Sequence, residues 1–129
     1  MNDFQPGSAA SNVSSKVELS IRCRNLIDAD FLSKSDPMVV VEQRVGASWL
    51  ELGRTEVVWD NLNPEFQKKF QVEFHFEIQQ MMRFTVYDID SDRRNLDDHD
   101  FLGQVEMSLG EIVSAQVQKF ENNRLIGQD

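Results

Sequence analysis

Residues 81–107 read MMRFTVYDIDSDRRNLDDHDFLGQVEM. Met82, Phe84 and Val86 alternate with Arg83, Thr85 and Tyr87, the period of a half-buried strand. Further on, Phe101, Gly103, Val105, Met107 and Leu109 alternate with polar positions, a second strand. Between them lies a loop crowded with aspartate. Outward from this stretch the same period recurs. Val17, Leu19, Ile21 and Cys23 share one parity, and Phe70, Val72, Phe74 and Phe76 share another. Pro37 opens PMVVVEQRV, a β-branched run whose first residue tolerates proline. Gly46 turns the chain into SWLELGRTEV, and Asn61, Asn63 and Pro64 mark a loop. Residues 110–115 suggest a short helical turn, and Phe120 to Ile126 one more strand. Many short strands with turn signals between them predict an all-β sandwich. Its inward phenylalanines would fill the space between two sheets packed ~10 Å apart. Trp59 is expected in the core and His99 at the surface.

A chain of 129 residues is one domain's worth, long enough for a real core. No run approaches the ~20 apolar residues of a membrane-spanning helix. The start, MNDFQPGSAASN, lacks the basic-then-apolar build of a signal peptide, so the chain reads as cytosolic. Residues 1–15 are small and polar and are expected to form a disordered tail before a domain over 16–129. One cysteine, Cys23, excludes an internal disulfide framework and a cysteine-rich zinc site. The net charge of −9 argues against unaided binding to nucleic acid or anionic lipid, both polyanions.

The acid falls in two clusters, each at the end of an expected strand. Asp28, Asp30 and Asp36 bracket one loop; Asp88, Asp90, Asp92, Asp97, Asp98 and Asp100 fill the other. Aspartate is common in solvated loops, and that is the plainest explanation. Against it stands the repulsion such crowding stores. Ca²⁺ takes roughly six to eight oxygen ligands and would relieve it. Asp88 and Asp90 leave an extended backbone on the same side. An EF-hand is excluded: Arg93 stands where its loop needs glycine and His99 where it needs a bidentate glutamate. Zinc is disfavoured, because His75 and His99 lie in different contexts and Cys23 points into the expected core.

LSKSDPMVVV, the DNLNPEF loop, FTVYDID and DFLG together resemble a C2 domain, from about Val17 to Ile126. LSKSDP, RTEV, VYDID, HDFLG and SLGEIVS resemble more closely the first C2 domain of the copines. The resemblance implies an antiparallel eight-stranded C2-type β-sandwich whose loops at one end bind Ca²⁺. Carried onto this sequence, it implies Asp30 and Asp36 as first-loop ligands. Asp88, Asp90 and Asp100 would be third-loop ligands, with Asp97 as a further oxygen donor. Carbonyls of Ala29 or Phe31 and of Ile89 would complete the shell. The third loop is longer than the family's common form, and the last strand of the sandwich is expected to be missing. In a copine, a further strand, a second C2 domain and a von Willebrand A-like domain would follow, so the chain reads as a fragment of such a protein.

The implied function is Ca²⁺-dependent binding to anionic phospholipid, by an electrostatic switch that would move the protein from cytoplasm to membrane. Phe31 and Leu32, between Asp30 and Asp36, are candidates for membrane contact or for packing onto the sandwich. Arg93 and Arg94 would contact phosphates or neutralise neighbouring acid. The region SWLELGRTEV has Arg54 but no lysine-rich run, so phosphoinositide selectivity is not expected. The alternative is a Ca²⁺-independent protein-interaction domain. A metal-dependent hydrolase is a third class. No serine or cysteine nucleophile motif supports it, so no enzymatic activity is expected.

Overall fold

The computed structural model describes residues 14–27, 35–89, 95–115, 117–121 and 124–128, with side chains through Ala115 except that of Asp98. Asp28, Asp30, Phe31, Leu32, Asp90, Asp92, Arg93, Arg94 and the tail before Ser14 lie outside the described residues. The strands are β1 Ser15–Leu19, β2 Cys23–Arg24, β3 Pro37–Val45, β4 Ser48–Arg54, β5 Phe70–Phe74, β6 Met81–Asp88, β7 Asp100–Ser108, β8 Val117–Glu121 and β9 Arg124–Gln128. A short helix, α1 Leu109–Ser114, follows β7, and a 3-10 turn, Leu96–Asp98, precedes it.

β4-β3-β6-β7 form a four-stranded antiparallel sheet, and β1 pairs antiparallel with β5. Leu19, Phe70 and Val72 from β1 and β5 meet Val39, Val41, Met82, Val86 and Leu102 from the larger sheet in one buried cluster. The expected all-β sandwich is therefore present. Its C-terminal end departs from an all-antiparallel plan. β8 pairs with β9 antiparallel but with β2 in parallel, over Cys23↔Phe120 and Arg24↔Glu121. The single strand expected near Phe120–Ile126 is a pair of strands.

Three inward assignments need correction. Phe76 lies beyond the end of β5 in a turn and is exposed. In β7 the pairing slips between Val86↔Gly103 and Tyr87↔Phe101, leaving Leu102 as the extra residue. A bulge of this kind exchanges the faces of the residues beyond it. Leu102 enters the core, and Phe101 turns out against Tyr87, ring to ring at 6.2 Å and 82°. Trp59, expected in the core, is 66% exposed.

α1 starts with a capping box. The Glu111 N–H donates to Ser108 Oγ at 3.1 Å, and the Ser108 N–H donates to Glu111 Oε1 at 2.9 Å. Ser108→Ala should cost about 1 kcal/mol, because the helix loses its capping acceptor. A urea melt should show a lower midpoint at unchanged slope.

Candidate metal centre

Asp36 joins the three loops at one end of the sandwich. It lies just before Pro37, and its polar groups reach both the second and the third loop. Its N–H donates to Asp88 Oδ1 at 2.8 Å, and its carbonyl accepts the Ile89 N–H at 3.0 Å. Both bonds hold the start of the third loop. Its Oδ1 accepts the Asp60 N–H at 2.6 Å, which holds the second loop. Asp60 has φ 54°, a left-handed conformation that aspartate tolerates better than most residues.

The surrounding backbone repeats this lacing. Val58 N–H donates to the Pro37 carbonyl, and Asn61 N–H to the Ser35 carbonyl, both at 3.0 Å. Ser35 is fully buried, and its Oγ donates to the Ile27 carbonyl at 3.1 Å, joining the two ends of the first loop. The NLNP turn uses its asparagines in the same way. Asn63 N–H donates to Asn61 Oδ1, and Asn63 Oδ1 accepts the Asn25 N–H, both at 2.8 Å.

Asp88, the last residue of β6, is 1% exposed. It stands in register with Pro37 on one side and Asp100 on the other. Asp36, Asp88 and Asp100 thus come from three adjacent strand ends. Asp97 lies in the 3-10 turn, its N–H donating to Asn95 Oδ1 at 3.0 Å. It is close enough to Tyr87 to contribute to that phenol's raised pKa, behind burial and the charge of Glu42. His99, expected at the surface, is buried at 8% exposure, with its N–H bonded to the Leu96 carbonyl at 3.1 Å. The tight turn that delivers Asp100 to β7 folds His99 inward.

Of the candidate ligands, the structure brings Asp36, Asp88 and Asp100 to one end and puts Asp97 at its margin. Asp30 and Asp90 lie outside the described residues, as do the candidate membrane contacts Phe31, Leu32, Arg93 and Arg94. Among the described residues no three His, Cys, Asp or Glu side chains form a metal-binding group. The donors present are all oxygen, several of them charged, which fits a hard cation such as Ca²⁺. They do not fit zinc. Cys23 is buried in the core, where desolvation pushes its thiol up to about 12 against the lowering effect of Arg24.

On the larger sheet two arginines, Arg83 and Arg54, are paired with glutamates. Arg83 Nε donates to Glu42 Oε1 at 2.8 Å while its guanidinium stacks over Trp49, 4.3 Å from the ring centre. That bond raises the Arg83 pKa. Arg54 makes two bonds to Glu51, at 2.8 and 3.2 Å. Before β5, Glu56 accepts the Gln67 and Lys68 N–H groups, which outweigh burial and hold its carboxyl below the usual range.

Fold and site define a β-sandwich binding module with carboxylates gathered where its loops meet. The chain belongs to the C2 domain family, whose model matches residues 16–124. Among solved structures it is similar to human GIVD cytosolic phospholipase A2, at 21% identity and TM-score 0.61 over 76% of this chain. It spans 14% of that phospholipase chain. BON1-C2B matches at 24% identity and TM-score 0.60, over 88% of this chain and 77% of that one. A calcium-bound structure of two C2 domains of Extended-Synaptotagmin 2 matches at 22% identity and TM-score 0.55, over 81% of this chain and 38% of that one. At these identities the likeness is one of fold. Among the described residues no helix is long and apolar enough to cross a membrane.

Proposed function

We propose that this chain is a Ca²⁺-dependent phospholipid-binding module, with no enzymatic activity of its own, that recruits its parent protein to anionic membranes. The observation that carries the reading is Asp36, whose backbone and side chain tie Asp88 and Asp60 to one end of the sandwich. Asp36, Asp88 and Asp100, with Asp30, Asp90 and Asp97, are the proposed ligands. Bound Ca²⁺ would supply positive charge and open coordination sites for headgroup oxygens. The chain's own residues supply the negative cage, which repels anionic lipid when empty. The reversal acts within about a Debye length, ~8 Å at physiological salt. Phe31, Leu32, Arg93 and Arg94 are the proposed membrane contacts of the first and third loops. The motif resemblance favours the first C2 domain of a copine, acting in the cytoplasm until calcium rises. The calcium-bound Extended-Synaptotagmin 2 structure lends support to the cation. The pairing of Arg54 and Arg83 with glutamates argues against strong phosphoinositide selectivity.

Sedimentation with phosphatidylserine-containing vesicles tests the proposal. Binding is expected in Ca²⁺, with release by EDTA. Equal binding in both conditions would replace it with the Ca²⁺-independent interaction domain.

A further inference from the structure

The two layers of the sandwich are unequal: β1 and β5 are set against the four strands β4-β3-β6-β7. The shortfall lies over β6 and β7. Phe84 and Val105 stand in register there, yet they and Val17 and Ile112 are only partly buried against the core. A cavity of about 670 Å³ opens at this place, with Val17 and Leu19 on one wall and Phe84, Val105 and Met107 on the other. It touches every residue from Val17 to Cys23. Side chains of a strand alternate between its faces, so a cavity that reaches all of them follows the strand's edge as well as its inner face.

That edge is a backbone template. Among the described residues β1 is paired on one side only, with β5, over Ser15–Leu19. Alternate residues of an antiparallel strand aim their N–H and C=O groups away from the partner. Further along, the segment before β5 keeps its side: Phe66 N–H donates to the Ile21 carbonyl and Cys23 N–H to the Pro64 carbonyl. The opposite side takes a strand, β8, but only at Cys23↔Phe120 and Arg24↔Glu121. An occupant of the groove must therefore offer apolar side chains on one face and a row of backbone donors and acceptors along one edge. An acyl chain or a small apolar molecule supplies only the first. An extended peptide supplies both. β8 and β9 are paired with β2 and with each other, so among the described residues no strand remains to close the groove from within. We infer that the groove accepts one β-strand of a second polypeptide, apolar at alternate positions, which adds to β1 and closes the layer over β7.

The probe is a short fluorescent peptide alternating valine and threonine, with a lysine at each end. Its binding is followed by anisotropy in EDTA, so that the result stands apart from the calcium site. Saturable binding is expected. A peptide of the same composition with its valines consecutive should bind about tenfold more weakly or worse, as should one N-methylated along one edge, because strand addition draws on alternation and on main-chain bonds. Amide hydrogen exchange should slow within Ser15–Ile21 when the alternating peptide is bound. Val105→Lys places a charge in the groove and should abolish binding; should that variant fold poorly, the exchange measurement on the unchanged chain decides alone. Binding that leaves exchange in β1 unchanged would overturn the inference in favour of plain apolar adsorption. Equal binding of the three peptides, or binding by none, would overturn it as well.

Discussion

Asp88→Asn is expected to abolish Ca²⁺ binding at micromolar concentrations while the sandwich stays folded. Asp88 lies at the end of β6, 1% exposed, between Pro37 and Asp100. Its Oδ1 accepts the Asp36 N–H, and asparagine keeps an oxygen there to accept the same bond. The change therefore removes a formal charge from the cage and little else. Losing a group that merely orients a metal ligand typically costs roughly 10–100-fold in affinity. Losing the charge of a ligand should cost more. Asp36→Asn should behave alike, because the amide oxygen still accepts the Asp60 N–H. Asp36→Ala should differ, since it frees the second loop as well, and its melting temperature in EDTA should fall below that of Asp36→Asn. Asp3→Asn, in the tail, serves as the control for diffuse charge. Calorimetric titration with Ca²⁺ checks the set. Equal, small losses in Asp3→Asn, Asp36→Asn and Asp88→Asn would show charge screening rather than a cage.

Legibility followed periodicity. PMVVVEQRV reads as a β-branched strand and is β3, buried from Pro37 through Val41. Met82 and Val86 follow the rule of alternation in β6. The rule fails at Phe101-Leu102, where two adjacent apolar residues fit either register. The bulge that decides between them arises from pairing with Tyr87, a partner distant in the chain. For Trp59, size and apolarity speak for burial, whereas hydrogen bonds from its neighbours hold it at a loop tip. His99 departs in the opposite sense: a histidine among aspartates reads as solvated, and the turn before β7 buries it. At the site, the clustering of aspartate was plain. The part played by the Asp36 backbone and by Asp60 was not, because neither an N–H direction nor a left-handed φ is written in residue type. The one advance signal was the DNLNP run, whose asparagines and proline marked a tight turn.

The melting temperature should rise with Ca²⁺, and by more than salt alone can explain. The folded sandwich holds Asp36, Asp88 and Asp100 at neighbouring strand ends, and the unfolded chain lets them separate. Ca²⁺ should therefore bind the folded state far better than the unfolded one. Mass action then stabilises the fold by about 2.7 kcal/mol for one site at a free concentration ~100 times its dissociation constant. For a chain of 129 residues that gain corresponds to a shift of roughly ten degrees. Sodium chloride at matched ionic strength should recover only a fraction, because screening weakens exposed repulsion but coordinates nothing, and Asp88 is buried. Mg²⁺ should fall between the two, since it is smaller and gives up its water reluctantly. Asp88→Asn should lose the Ca²⁺ increment and keep the salt increment, which separates coordination from screening within one protein. Scanning calorimetry in EDTA, NaCl, Mg²⁺ and Ca²⁺ measures all of these. A wild-type melting temperature that is the same in EDTA and in millimolar Ca²⁺ would leave the gathered carboxylates without a cation, and the acidic end would then be a surface for a protein partner.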